Sequence, residues 1–240
     1  MEPGWYPDPA GGHGQRWHDG TGWTGQISHG KPMRPLGAPF AALADRLARV
    51  LIVVAVVNVA ALAQAAYGYA SPSTVIEANQ MATVNLPTYH LISYVLGGLT
   101  VLLGLGAGLT WLVWQRRLAL SAPGPLRSSP TMHVVWWFVP FANLVMPCKS
   151  MTDMWRSYGT ARHGAVVAGP PFFLWWTFYL LSGFFGGLLF SPGLGGADLG
   201  VVQVVAIVQM AGAAFSALAA GLAAWVVRGL SWQALLVHAG

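Results

Sequence analysis

The chain alternates between long apolar runs and short polar stretches. Four runs stand out: Leu47–Tyr69, Leu91–Trp114, Phe172–Phe190 and Val201–Val227. Crossing a hydrocarbon core takes about 20 helical residues. All four are of that order, the third being the shortest, and Arg49, two residues into the first, is the one charged side chain within them. The pattern predicts an all-α membrane protein, a four-helix transmembrane bundle over residues 46–230 with a short C-terminal tail, 231–240. A fifth apolar stretch, Thr131–Pro147, is interrupted by Pro140, Asn143 and Pro147. It is expected to be re-entrant or to lie in the membrane interface, because non-helical backbone survives at depth only where protein or water satisfies it.

Charge decides this assignment. Arg16, Lys31, Arg34 and Arg46 precede the first run, and Arg49 lies in its first turn. Arg116, Arg117, Arg127, Lys149, Arg156 and Arg162 lie between the second and third, and Arg228 follows the fourth. Four crossings put all twelve bases on one side, leaving Glu77 and Asp198 opposite; a fifth crossing would split the central group. The positive-inside rule then places both termini in the cytoplasm of a multi-pass protein of the cell membrane. No signal-peptide core precedes the first run, which is expected to act as an uncleaved anchor. Beyond Pro147, Met151, Met154, Trp155 and Tyr158 share one helical face, while Lys149, Asp153 and Arg156 point elsewhere. This predicts an amphipathic helix, either in the headgroup layer with its bases on anionic lipid headgroups or capping the bundle. Asp153 and Arg156 have the i, i+3 spacing of an ordinary helix ion pair. In the outer loop, residues 70–90, Thr74 and Glu77 fit a capping box opening a turn or two of helix.

Residues 1–30 are different in kind: Gly-rich, Pro-rich and aromatic. Asp19-Gly20 predicts a type I′ hairpin turn, flanked by Trp17 and Trp23, with Trp5 or Tyr6 packed across it. The aromatics Trp5, Tyr6, Trp17 and Trp23 are either the core of this small β-hairpin module or a platform for a Pro-rich or extended peptide. Residues 31–45 read as a linker, its prolines at 32, 35 and 39 denying regular structure.

Composition agrees: 55% apolar and 8% charged over 240 residues, with 12 Trp, where soluble domains carry about 25% charged residues. The net charge of +5 comes from scarce acids, and the bases are scattered, so nucleic acid is not expected as a partner. Cys148 is the only cysteine and no activating base accompanies it. His13, His18 and His29 lack metal-ligand spacing. No paired carboxylates, nucleophile–base set or zinc motif is present, so neither enzyme chemistry nor a cofactor is expected.

Within the runs, Asn58, Gln64, Gln203 and Gln209 need partners in hydrocarbon. Helix–helix glue and substrate contact are both open. Thr100/Gly104/Gly108, Gly183/Gly187 and Gly212/Ser216/Ala220/Ala224 recur every fourth residue, for close packing inside the bundle or for a homo-oligomer. Trp136, Trp137, Pro140 and Asn143 mark either a structural wedge or the lining of a cavity.

Two resemblances are carried by motifs. Gly4-Trp-Tyr-Pro-Asp-Pro9, Arg16-Trp-His-Asp-Gly20 and Trp23-Thr24 resemble domain-of-unknown-function family 2510, with His18 where that family usually has an aromatic. Trp111-Leu-Val-Trp114, Arg116-Arg117, Ser129-Pro130, Trp136-Trp-Phe-Val-Pro-Phe-Ala-Asn143, Pro147, Met154-Trp-Arg-Ser157 and Trp175-Trp176 are similar to domain-of-unknown-function family 4328. The resemblance implies a bacterial multi-span membrane protein, often carrying the small N-terminal module, and no known activity. Three functional expectations follow. The first is a membrane-anchored adaptor, scaffold or sensor that engages a cytoplasmic protein through residues 1–30. The second is a transporter or channel for a small or lipidic substrate. The weakest is a membrane-surface enzyme.

Overall fold

The computed structural model describes residues 1–10, 15–28, 36–81, 88–124, 126–163, 172–189 and 198–239. Three strands, β1 (Gly4–Pro7), β2 (Gln15–His18) and β3 (Trp23–Ser28), form an antiparallel sheet in that order. Helices follow: α1 (Ala38–Ala70), α2 (Pro72–Met81), α3 (Thr88–Leu120), α4 (Met132–Val135), α5 (Met146–His163), α6 (Phe172–Leu188) and α7 (Leu199–Ala239). A single 3₁₀ turn, Ala142–Leu144, separates α4 from α5.

Among the described residues three helices, α1, α3 and α7, are long and apolar enough to cross a membrane. The third expected span appears as α6, with 17 residues, or about 26 Å of helix against a hydrocarbon core of about 30 Å. Its expected last residue, Phe190, lies outside the described residues.

Four expectations need correction. The linker is helical from Ala38, because Pro39 falls in the first turn, where its missing N–H costs nothing. The expected tail is the last part of α7: no proline falls from Arg228 to Ala239, and Leu230 and Ala234 are fully buried. In the outer loop the helix begins at Pro72, not at Thr74. Ser71 precedes it and accepts from the Thr74 N–H at 3.1 Å, which puts Thr74 inside the first turn. The N-terminal hairpin gains β1 as a third strand, and its turn spans four residues instead of two. Among the described residues only Gly20 in that turn has positive φ, at 99°, where a type I′ turn needs two such residues.

The chain divides into two compact units. One comprises Met1–Ala44, Leu112–Gly169 and Gly229–Gly240; the other comprises Asp45–Trp111 and Pro170–Arg228. In the second, apolar unit, Gln64 of α1 donates to the Tyr89 carbonyl of α3 at 3.2 Å. Trp111 of α3 stacks on Trp175 of α6 at 5.2 Å. Phe178 and Phe185 of α6 stack on Phe215 of α7 at 5.9 and 5.6 Å. Gly68 is required here, since a Cβ at that position would collide with the Tyr89 hydroxyl.

Candidate functional site

The first unit gathers the polar chemistry. The last turns of α3 are tied to their surroundings by side chains the apolar pattern does not mark. Trp114 is fully buried and its Nε1 donates to Ser231 Oγ of α7 at 2.9 Å. Gln115, also fully buried, uses both ends of its amide. Its Nε2 donates to the His133 carbonyl at 2.9 Å, and its Oε1 accepts from Trp137 Nε1 at 2.9 Å. Tyr158 Oη donates to the Leu118 carbonyl at 2.8 Å, and burial holds its phenol pKa well above the usual range. His238 Nε2 lies 3.1 Å from the Ser121 carbonyl, a contact that requires the proton on Nε2.

Gln115 therefore clamps the broken segment. Trp137 and the His133 carbonyl are held by it, while Trp136 Nε1 reaches Ser128 Oγ at 3.4 Å. Pro140 ends the helical path. Its carbonyl accepts from the Ala142 N–H at 2.7 Å across Phe141, whose φ of 61° and ψ of −40° make a γ-turn of the rare positive-φ kind. Such a conformation in a residue with a Cβ stores about 1–3 kcal/mol. Asn143 closes the next turn through its backbone N–H to the Val139 carbonyl at 3.0 Å. Most backbone donors here are internally satisfied: those of His133 to Phe138 bond three or four residues back, and those of Leu144 and Val145 three back. The turn nevertheless presents Phe138 at 70% and Phe141 at 85% exposure, beside exposed Leu144 and Val145.

In α5, Met151, Met154 and Tyr158 are fully buried, Trp155 is half-buried, and Lys149 and Arg156 are exposed. The opposite side carries a second periodic set. Asp153, Arg156, Ser157 and Thr160 recur at i, i+3, i+4 and i+7, and with Gly124 and Arg127 of the preceding loop they line an open cleft of about 420 Å³. Asp153 does not pair with Arg156 as the spacing suggested. Its carboxylate, 11% exposed, takes Nε of Arg127 at 3.3 Å, because the loop delivers a guanidinium to a partly buried acid that Arg156, facing solvent, does not reach. Ser157 Oγ accepts the Gly124 N–H at 3.0 Å and fixes the loop on the helix. Neither Pro140 nor Asn143 lines this cleft.

Beside it, His133 is fully buried. The Ser128 carbonyl and Asp153 face it, yet neither ring nitrogen completes a hydrogen bond among the described residues. Burial lowers its pKa, and the Ser128 carbonyl and Asp153 act in the opposite sense. Cys148 is half-buried, and burial raises its thiol pKa, away from the reactive thiolate.

In the N-terminal sheet, Tyr6, His18 and Trp23 meet edge to face. The His18–Trp23 centroids are 5.0 Å apart, Tyr6–Trp23 6.1 Å and Tyr6–His18 6.3 Å. His18 is the buried member, and its Nδ1 accepts the Gly20 N–H at 3.0 Å. It thus does the packing of an aromatic and fastens the turn as well. Trp17 pairs in register with Trp5 and, as the neighbour of His18 in an extended strand, takes the other face. Trp5's side chain lies outside the described set, as do His13 and His29. Asp8, with Arg16 Nε at 2.8 Å, joins the β1–β2 connection to β2. Asp19 accepts from the backbone of Gly22 at 2.7 Å and from the backbone and hydroxyl of Thr21 at 2.8 and 2.7 Å. Those bonds lower its pKa to about 2.

The polar residues of the apolar runs behave unequally. Asn58 is buried and donates within its own helix to the Val54 carbonyl at 2.8 Å. Gln64 makes the interhelical bond. Gln203 is half-buried and Gln209 exposed. Of the small-residue stripes, that of α7 is packed: Ala220 and Ala224 are buried and Gly212 lies against Phe185. Among the described residues no other group comes within 4 Å of a Cβ placed at Gly104, Gly108, Gly183 or Gly187.

The polar groups above were missed in the sequence for a common reason. Gln115 directly follows an apolar run and precedes Arg116-Arg117, where it reads as the edge of a span. A Gln flanked by Trp114 and a basic pair is the signal that could have found it. The cleft's signal was the period of Asp153, Arg156, Ser157 and Thr160.

Comparison with known proteins agrees with both resemblances. Residues 3–38 match a family described as a protein of unknown function, DUF2510. No curated protein and no solved structure is significantly similar to the chain. The family described as a domain of unknown function, DUF4328, matches residues 77–231, and the chain belongs to it.

Proposed function

We propose that the protein is a multi-pass membrane adaptor or sensor with both termini in the cytoplasm, and that it is not an enzyme. The observation that carries this reading is the hydrogen-bonded polar unit. Buried side chains of α3, α5 and α7 hold one another there, although the sequence is dominated by apolar runs. In this reading α1, α3, α6 and α7 cross the bilayer as a four-helix bundle. The polar unit faces the cytoplasm, where the basic residues concentrate. The buried Met151, Met154 and Tyr158 favour α5 as a helix packed on protein, with Lys149 and Arg156 left outward for anionic headgroups. Phe138, Phe141, Leu144 and Val145 then dip into the interface, which their internally bonded backbone permits. The N-terminal sheet, folded around Tyr6, His18 and Trp23, is the part offered to a protein partner; Trp23 is 40% exposed.

The test is cross-linking in native membranes of the full chain and of a chain lacking residues 1–30, followed by identification of what co-purifies. A specific partner lost with the deletion is the expected result. A partner set identical in the two samples would exclude the N-terminal module as the adaptor element. A fluorescent protein fused after Ala239 should fluoresce in cells, as a cytoplasmic C terminus requires; a dark fusion of full length would reverse the sidedness.

A further inference from the structure

The cleft between the loop after α3 and the exposed side of α5 has a lining that specifies a class of ligand. Its charged groups are two guanidinium groups and one carboxylate, so it is positive overall. The carboxylate is already engaged, since Asp153 takes the Nε edge of Arg127. A guanidinium has five N–H donors in a planar fork. Holding it by Nε orients the Arg127 side chain and leaves Nη donors for a second partner. Arg156 makes no ion pair among the described residues and is exposed on the same rim. Ser157 Oγ spends a lone pair on the Gly124 N–H at 3.0 Å, so its own proton is directed elsewhere. Thr160 adds a hydroxyl one turn on. The cleft therefore presents mainly donors, several of them charged, and its one strong acceptor is in use. That is the complement of a group with many acceptor oxygens and negative charge. Arginine forks match the tetrahedral oxygens of phosphate in bidentate fashion, and about 420 Å³ leaves room for a phosphate with an organic substituent.

We propose that this cleft binds a phosphate-bearing group, with Arg127 and Arg156 as its two cationic contacts and Ser157 and Thr160 as hydroxyl donors. Asp153 is a positioning residue that holds Arg127. The same chemistry is carried by a lipid headgroup and by a soluble phosphate compound. The proposal rests on the cleft and stands whether or not residues 1–30 capture a partner.

The experiment uses the full-length protein purified in an uncharged detergent. Inorganic phosphate is titrated against the thermal unfolding midpoint, which a ligand of the folded state raises. In a parallel arm, phosphatidate is offered in phosphatidylcholine nanodiscs and its retention is read by native mass spectrometry, with pure phosphatidylcholine as the blank. The variants are Arg156→Gln, Arg127→Gln and, as the control outside the cleft, Arg117→Gln. Arg127→Gln also strips the partner of a partly buried carboxylate and can unsettle the fold; Arg156→Gln, exposed and without an ion pair among the described residues, carries the test if it does. Loss of one charge-assisted contact predicts about tenfold or more weaker binding for Arg156→Gln and no change for Arg117→Gln. Binding of inorganic phosphate that obeys this pattern identifies a soluble phosphate compound as sufficient. Retention of phosphatidate alone, with the same pattern, identifies a lipid headgroup. No binding in either arm, or equal binding by Arg156→Gln and Arg117→Gln, overturns the proposal.

Discussion

The two units of this chain are specified in opposite ways. In the apolar unit the helices bury little of themselves: 6% of the most apolar window of α3 is covered, and Leu102 stands 69% exposed. Among the described residues its helices meet through ring stacks and the Gln64 amide, and Asn58 bonds within its own turn. In the polar unit Trp114, Gln115, Leu118, His133, Met151, Met154 and Tyr158 are fully buried, and side chains far apart in sequence are paired. An apolar medium can stabilise exposed leucines without naming their neighbours. A buried indole or amide requires a particular partner. The polar unit is accordingly where sequence fixes a unique arrangement.

The sharpest way to break this comparison is to remove one large side chain from each unit. Trp114→Ala should cost about 3–5 kcal/mol through its cavity and leaves Ser231 without its partner. Leu102→Ala, at an exposed position of the same helix, should shift stability by less than about 0.5 kcal/mol. Thermal unfolding in detergent measures both. Equal losses would mean that the apolar unit is packed as tightly as the polar one.

Gln115→Leu isolates polarity from volume. It keeps most of the bulk but strands the His133 carbonyl and Trp137 Nε1, each unsatisfied group costing about 1–3 kcal/mol. A large fall in the unfolding midpoint is expected, together with faster proteolysis at the Trp136–Asn143 turn. The matched change in the apolar unit, Gln209→Leu at an exposed site, should be neutral or stabilising.

Gly68→Ala probes a place where, among the described residues, the apolar unit shows a backbone contact as demanding as those of the polar unit. The added Cβ collides with the Tyr89 ring tip, and forced repacking costs about 1–3 kcal/mol. Gly104→Ala, where nothing approaches among the described residues, should instead gain about 1 kcal/mol from helix propensity. A loss at Gly104 of the same size as at Gly68 would show that α3 is covered by another chain.

How far the sequence could be read follows the same division. The apolar runs were legible because membrane crossing is a property of composition and length, and their centres lie in α1, α3, α6 and α7. Their ends were not, since a proline in a first turn and a tail without proline extend helices past the hydrophobic pattern, as Pro39 and residues 229–239 do. Pro140 announced a broken path. Only the fold reveals that Gln115 clamps it, because an amide's partners depend on a loop brought back over eighteen to twenty-two residues. The pairing of Asp153 followed the loop at Arg127 instead of the nearer Arg156 for the same reason. In the N-terminal module, Asp19-Gly20 was readable as a turn, while its four-residue form depends on how many donors the Asp19 carboxylate collects.

The smallest expected effect concerns the buried imidazole. Unfolded, His133 takes up its proton near the ordinary value of 6.5; folded, burial holds it lower. Above that pH both states are neutral and His133 contributes nothing to pH dependence. As pH falls below 6.5 the unfolded chain binds the proton first, so stability drops, at most about 1.4 kcal/mol per pH unit, until the folded pKa is reached. His133→Gln removes this slope. The difference in stability between wild type and variant should therefore shrink or reverse in favour of the variant between about pH 7 and about pH 5. Comparing the two proteins at each pH cancels the other titrating groups. A difference that stays level would mean that the Ser128 carbonyl and Asp153 hold the imidazolium as well as water does. His133 would then belong, with Gln115, to the groups of the polar unit whose partners are already in place.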